Sequence, residues 1–209
     1  MTLNRITQIY LRSFRPRLNG LVAILLYRGT NISFGKNFMC DSIPRILIDN
    51  EAKLKIADNV YLGRNVEVRC HMVSQITIEK GVKIDRSVRI LSTNNARILI
   101  SEGSKIGLNS VLNGGDSITI GMNSMLSGFV YLQTSMHKFS NKDFSMKEQG
   151  YKHAPISLAE DTWLGAHTVI MPNVSIGKGS IAGSNSVVTK SFKEFSIIAG
   201  VPGELLKIR

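Results

Sequence analysis

Cysteine is nearly absent from this 209-residue chain, with Cys40 and Cys70 the only two. Two thiols do not make the framework of a secreted, disulfide-stapled domain, and neither has a metal-ligand neighbour at CxxC or CxxH spacing. Both read as small buried hydrophobes in a protein of a reducing compartment. Aromatic residues are scarce at 7%, with one tryptophan, Trp163. So thin a set does not interleave with the basic residues as a stacking platform for nucleic acid requires, and nucleic acid is not an expected partner. Long apolar runs are missing too. The stretch Leu21 to Tyr27, preceded by Arg12, Arg15 and Arg17, is neither a cleaved signal nor close to the roughly 18 apolar residues that span a bilayer. A soluble, cytoplasmic protein is expected. Its basic start can pack against the body or lie on the inner face of the membrane as a peripheral contact. Acidic residues are few: 15 Asp and Glu stand against 26 Lys and Arg, a net charge of +11. That balance points to an anionic partner such as an acidic polysaccharide, a phosphate-rich cofactor or a membrane surface, or to a solvated basic exterior.

What the chain does have is a six-residue beat. Aliphatic residues fall at Ile120, Leu126 and Leu132, and again at Leu158, Leu164, Ile170, Ile176, Ala182 and Val188. A small residue often follows directly, as at Gly63, Gly107, Gly121, Gly165, Gly177 and Gly183. Earlier, Phe34, Ile56, Ile78, Ile100 and Ile120 open longer units spaced 22, 22, 22 and 20 residues, whereas Leu158 and Ile176 are 18 apart. Six residues make one short strand and a turn, and three such sides close a triangular coil with its aliphatic residues inside. The follower must be small or turn-compatible. One coil cannot bury its own apolar face, so several must stack and the ends need caps. An amphipathic helix would need three-and-four spacing, which this run lacks.

The expected fold is therefore an all-β solenoid with a short helical N-terminal segment and a C-terminal tail. Residues 1–31 form a partly helical cap, with Ile6, Ile9, Tyr10 and Leu11 as its stripe and Pro16 interrupting it. Residues 32–191 form the repeat, and residues 192–209 a tail containing the turn Gly200-Val201-Pro202-Gly203. From Ile120 onward the beat fails at residues 133–155, an inserted loop that opens on His137. An imidazole titrates near neutrality and suits the removal of a proton from a weak nucleophile. His71, His153 and His167 form no close pair of the kind that shares a metal, so no metal is expected.

From His137 onward the chain reads Thr134-Ser135-Met136-His137, Pro155-Ile156, Asp161-Thr162-Trp163-Leu164-Gly165-Ala166, Met171-Pro172-Asn173-Val174-Ser175-Ile176-Gly177, Ser184-Asn185-Ser186-Val187-Val188-Thr189-Lys190 and Ala199-Gly200-Val201-Pro202-Gly203. This ordered set resembles the hexapeptide-repeat acyltransferases, most of all the sugar O-acetyltransferase branch. The resemblance implies a left-handed parallel β-helix, a homotrimer, acetyl-CoA as donor and a saccharide acceptor, such as a surface or capsular polysaccharide or its precursor. It implies His137 as general base, and Trp163, Gly165 and Ala166 around the thioester, with the Ala166 N–H as oxyanion donor. Ser184 would touch the coenzyme arm, Thr189 and Lys190 its adenine and phosphate end, and Lys207 its phosphates from the tail. Glu204 departs from the pattern, since related enzymes often carry arginine there, so repulsion of the phosphates is expected. Asn113 and Asp116 are the candidate acceptor contacts, with Asp116 alternatively orienting the imidazole and an ordinary Asn-Gly-Gly-Asp turn as the plainer reading. His153 and His167 read first as ordinary surface histidines, with lining of the acceptor cleft and bordering of the donor channel as the alternatives. Lys138, Lys142 and Lys147 would suit an anionic acceptor. N-acetylation of an amino sugar or nucleotide sugar is the alternative reaction.

Overall fold

A computed structural model of the chain describes residues 4, 7, 8, 10–29 and 31–209. Among them, three sheets of 7, 9 and 7 strands, parallel except for the last strand of the second, wrap one apolar column. The parallel strands each pair with the strand one coil away, so the inward aliphatics stack. On the first face the column runs Phe34, Ile56, Ile78, Ile100, Ile120, Leu158, Ile176. The second face stacks Cys40, Leu62, Ile84, Ile106, Leu126, Leu164, Ala182 and Ile198. The third stacks Ile46, Val68, Ile90, Leu112, Leu132, Ile170 and Val188. The result is a parallel β-solenoid of about 7 turns. Each large aliphatic side chain buried in it contributes about 1.5–3 kcal/mol, and only because a neighbouring coil covers it.

The extra residues of the early coils are not only turns. They lengthen the third face, where strands Arg45–Ile48, Glu67–Cys70, Arg89–Ser92 and Val111–Gly114 have four residues. The later strands Val169–Ile170 and Val187–Val188 have two. The small followers also have a different cause from turn conformation. A Cβ on Gly121 would lie 2.4 Å from the Ala159 carbonyl carbon in the next coil, so the requirement is close approach of backbone to backbone. The left-handed conformation falls two residues later, on Asn123 (φ 57°), and asparagine tolerates it better than most side chains.

Helix α1 (Arg15–Leu26) lies across the first coil and follows a short π-helical turn, Tyr10–Phe14. Pro16 sits in its first turn, where a missing N–H breaks no helical bond, so it starts the helix instead of interrupting it. Pro16, Gly20 and Ala23 are its buried positions. A Cβ on Gly20 would stand 2.3 Å from the Phe38 carbonyl oxygen. Asn19 Nδ2 donates to the Asp41 carbonyl at 2.8 Å and Tyr27 OH to the Pro44 carbonyl at 2.9 Å. The expected stripe residues Ile6 and Ile9 lie outside the described residues. At the other end, strand Ser196–Ala199 adds to the second face, and Glu204–Ile208 returns antiparallel against it. Both cysteines are buried and free. Burial, with the Asp41 carboxylate adding to it, pushes the Cys40 thiol up to about 12.

Candidate active site

The break in the repeat folds as a two-stranded antiparallel hairpin. Strand Ser135–His137 pairs with Tyr151–His153, with Ser135 opposite His153 and His137 opposite Tyr151. Because side chains alternate along a strand, Ser135, His137, Tyr151 and His153 share one face and Met136 and Lys152 take the other. The His137 and Tyr151 rings lie 4.2 Å apart between centroids. Ser135 Oγ lies 2.9 Å from His153 Nδ1. The connection, residues 138–150, is laced by its own side chains. Gln149 Nε2 donates to the carbonyls of Asn141 and Phe144, and the Ser145 hydroxyl and N–H both donate to Glu148. Those two bonds hold the Glu148 carboxyl below its ordinary range.

This hairpin folds back over the turn Asn113–Asp116. A Cβ on Gly115 would sit 2.1 Å from Ser135 Oγ and 2.6 Å from His153 Nδ1, so only glycine leaves room for them. His153 and Ser135 thus meet the candidate acceptor turn directly. Asn113 Nδ2 donates to Gln133 Oε1 at 2.8 Å, one rung above. Among the described residues, Asp116 makes no hydrogen bond to the imidazole. Its Oδ1 accepts the Ser117 N–H at 2.6 Å, and its own N–H donates to Thr134 Oγ1 at 3.1 Å. Tyr151 is the group packed on His137. No sequence motif marks Tyr151; its hairpin position opposite His137 was the only available signal. Gln133 and Ser135 likewise escaped the sequence reading.

The candidate donor residues occupy another part of the solenoid. Trp163 belongs to the second-face strand Trp163–Leu164 and not to a turn. Its ring stands 45% exposed, Nε1 donates to Ser127 Oγ at 3.2 Å, and Met125 is its partner one coil below. Ser184 lies directly over Gly165, where a Cβ would be 2.5 Å from the Ser184 nitrogen. The Ala166 carbonyl accepts the Asn185 N–H at 2.9 Å, and among the described residues the Ala166 N–H has no acceptor. His167 turns the corner at φ 59° and stacks on Phe129, itself at φ 61°, with centroids 4.7 Å apart. It fills a corner.

Thr189 and Lys190 follow the last third-face strand, both exposed. Lys190 Nζ pairs with the Glu204 carboxylate, which the return strand brings across from the tail. Glu204 therefore does more than repel an anion: it neutralises the lysine expected to bind one. Lys207 sits on the same return strand, exposed, opposite Ile197. His71 is remote, in the second coil, 3.2 Å from Asp49 Oδ1. The Met72 N–H first, and His71 second, hold the Asp49 carboxyl below its usual range.

Within one chain the two groups of candidate residues lie apart. The hairpin leaves from the far end of the third face, after strand Tyr131–Gln133. The strip Trp163, Gly165, Ala166 and Ser184 marks the corner where the second face meets the third. Among the described residues, no hydrogen bond or ring contact joins His137 to that strip. The width of the third face, roughly 15 Å for four to five extended residues, separates them.

No family model matches the chain. Known proteins do. A probable acetyltransferase of Mycobacterium tuberculosis is 26% identical over 152 residues, covering 72% of this chain and 50% of that protein. The galactoside O-acetyltransferase of Escherichia coli is 25% identical over 179 residues, covering 84% of this chain and 86% of that enzyme. Among solved structures, an N-acyltransferase from Bacillus cereus, in complex with dTDP-4-amino-4,6-dideoxyglucose and coenzyme A, superposes with a TM-score of 0.61 at 22% identity. That match covers 88% of this chain and 87% of that one. These likenesses and the solenoid fit the hexapeptide-repeat acyltransferases. Its fold is theirs, the left-handed parallel β-helix. The chain spans a third to a half of the length of the first curated relatives that it matches.

Proposed function

We propose that this hexapeptide-repeat protein transfers acetyl from acetyl-CoA to a hydroxyl of a saccharide, such as a surface or capsular polysaccharide or its precursor. The observation that carries the reading is His137, held by Tyr151 on a short hairpin whose same face rests on the Asn113–Asp116 turn. An acceptor seated on that turn presents its hydroxyl to the imidazole. His137 takes the hydroxyl proton as the oxygen attacks the thioester carbonyl. The Ala166 N–H steadies the tetrahedral oxyanion. The C–S bond then breaks, the imidazolium returns its proton to the thiolate, and an acetyl ester and free coenzyme A leave. The exposed Trp163 ring walls the acyl group from water. Ser184, Thr189, Lys190 and Lys207 line the donor's path, and Lys138, Lys142 and Lys147 favour an anionic acceptor. The buried free thiols suit the cytoplasm.

The gap between the half-sites supports a homo-oligomer, most simply a trimer. The hairpin corner of one copy would meet the tryptophan corner of the next, and light scattering should return the mass of three chains.

Acceptor chemistry is read by incubating the protein with acetyl-CoA and a panel of neutral, acidic and amino-bearing saccharides. Hydroxyl-only acceptors should yield alkali-labile acetyl esters. Alkali-stable amides, formed on amino-bearing sugars alone, would replace this reading with N-acetylation. Glu204→Gln frees Lys190, so affinity for coenzyme A should rise about two- to fivefold at low salt, the size of an exposed ion pair. Isothermal titration measures it, and the gain should fade as salt is added.

A further inference from the structure

Helix α1 has two apolar stripes, and the solenoid uses one. Pro16, Gly20 and Ala23 are buried against the first coil. Leu18, Leu21 and Leu25 follow the same spacing on the opposite side and are 47%, 66% and 73% exposed. At about 100° per residue the two stripes point nearly opposite ways. Phe14 leads into the outer stripe and is exposed as well. Since the inner stripe is seated on the Phe38 backbone, the outer one cannot roll inward without pulling Gly20 from its contact.

Charge identifies what that stripe meets. The first 40 residues contain Arg5, Arg12, Arg15, Arg17, Arg28 and Lys36 and no Asp or Glu. Arg17 and Arg28 are exposed beside the outer stripe. Asp41, the first acid in the chain, accepts a hydrogen bond from Tyr61 OH at 2.6 Å. A second copy docked through this stripe would bring arginines against arginines, with no acid on either helix to meet them. Spanning is excluded for α1, which has 12 residues, and no helix among the described residues is long and apolar enough to cross a membrane. Leucines on one face flanked by arginines that can snorkel are the composition of a helix lying in the plane of an anionic lipid interface.

We propose that the outer face of α1 seats this protein on an anionic membrane surface through Leu18, Leu21 and Leu25, with Arg17 and Arg28 on the phosphate headgroups. Such seating stands the solenoid on end. The hairpin, four rungs along the column and beyond the thickness of α1, is then roughly 30 Å from the lipid. The inference is independent of acyl transfer, since it uses no residue of the candidate active site.

The test is cosedimentation of the full chain with vesicles of phosphatidylcholine alone and of equimolar phosphatidylcholine and phosphatidylglycerol. The protein should pellet with the anionic vesicles, stay in solution with the neutral ones, and be released by high salt. Leu21→Glu with Leu25→Glu, and separately Arg17→Gln with Arg28→Gln, should each lower partitioning by about tenfold or more. Both pairs are at the surface, so circular dichroism and melting should be unchanged. Failure of the parent protein to bind, equal binding to neutral vesicles, or undiminished binding by both variants would overturn the proposal. So would a fall in oligomer mass in the leucine variant, which would make the stripe a contact between copies.

Discussion

Replacing His137 with alanine should lower kcat for acetyl transfer by a factor of about 10²–10⁴, with the Kd for coenzyme A changed by less than about twofold. The separation of the half-sites makes the two readouts independent. His137 stands on the hairpin at the far end of the third face, packed on Tyr151, and among the described residues no hydrogen bond or ring contact joins it to Trp163, Gly165, Ser184 or Lys190. Removing the imidazole leaves the donor strip intact and takes away only the proton acceptor. Tyr151→Phe keeps the ring against His137 and should cost little, whereas Tyr151→Ala frees the imidazole and should cost more. Mixed oligomers sharpen the result. Chains with His137→Ala and chains with Trp163→Ala, inactive apart, should recover part of the activity when refolded together, because an intact hairpin then meets an intact tryptophan corner. A His137→Ala protein with near-original kcat would end the assignment.

The second large effect concerns folding. Gly121→Val should destabilise the protein by about 3 kcal/mol or more, read as a lowered Tm or denaturant midpoint. A Cβ at Gly121 would sit 2.4 Å from both the Ala159 carbonyl carbon and the Glu160 nitrogen, which are backbone atoms of the next coil and cannot swing aside. The coil must tilt, and tilting breaks the rung bonds around it, including Gly121 N–H to the Leu158 carbonyl at 2.8 Å. Gly183→Ala is the internal control. It is the small follower at the second-face corner of a later coil, where an added methyl would approach nothing nearer than Ala199 Cβ at 3.4 Å and so should change stability by less than about 1 kcal/mol. Equal losses at both positions would show that lost chain flexibility, and not the clash, sets the cost.

The architecture could be read from the sequence because the solenoid writes its register into spacing. Phe34, Ile56, Ile78, Ile100 and Ile120 stack in the order and at the intervals that the sequence shows. Each inward side chain needs only its counterpart one coil away, so a local rule fixes a long-range contact. The site obeys no such rule. His137 meets Tyr151 across an antiparallel pairing that exists only inside the gap, where the beat is silent. Lys190 meets Glu204 because the tail returns as a strand, and the sequence alone suggests repulsion of a ligand instead. Asp116 is taken by its neighbour's N–H, an outcome of local turn geometry that residue type cannot reveal.

Stacked rungs also turn length into a ruler. Lys53 pairs in register with Gln75, so residues 53–74 form one complete coil whose removal joins equivalent positions. Excising them would leave every remaining column aligned and shorten the span between α1 and the hairpin by one rung, about 4.8 Å. Duplicating them would lengthen it by the same step. The distance from the end cap to His137 is thus set in whole-coil increments, and insertion or loss of single coils can change it while the chemistry at the hairpin stays as it is.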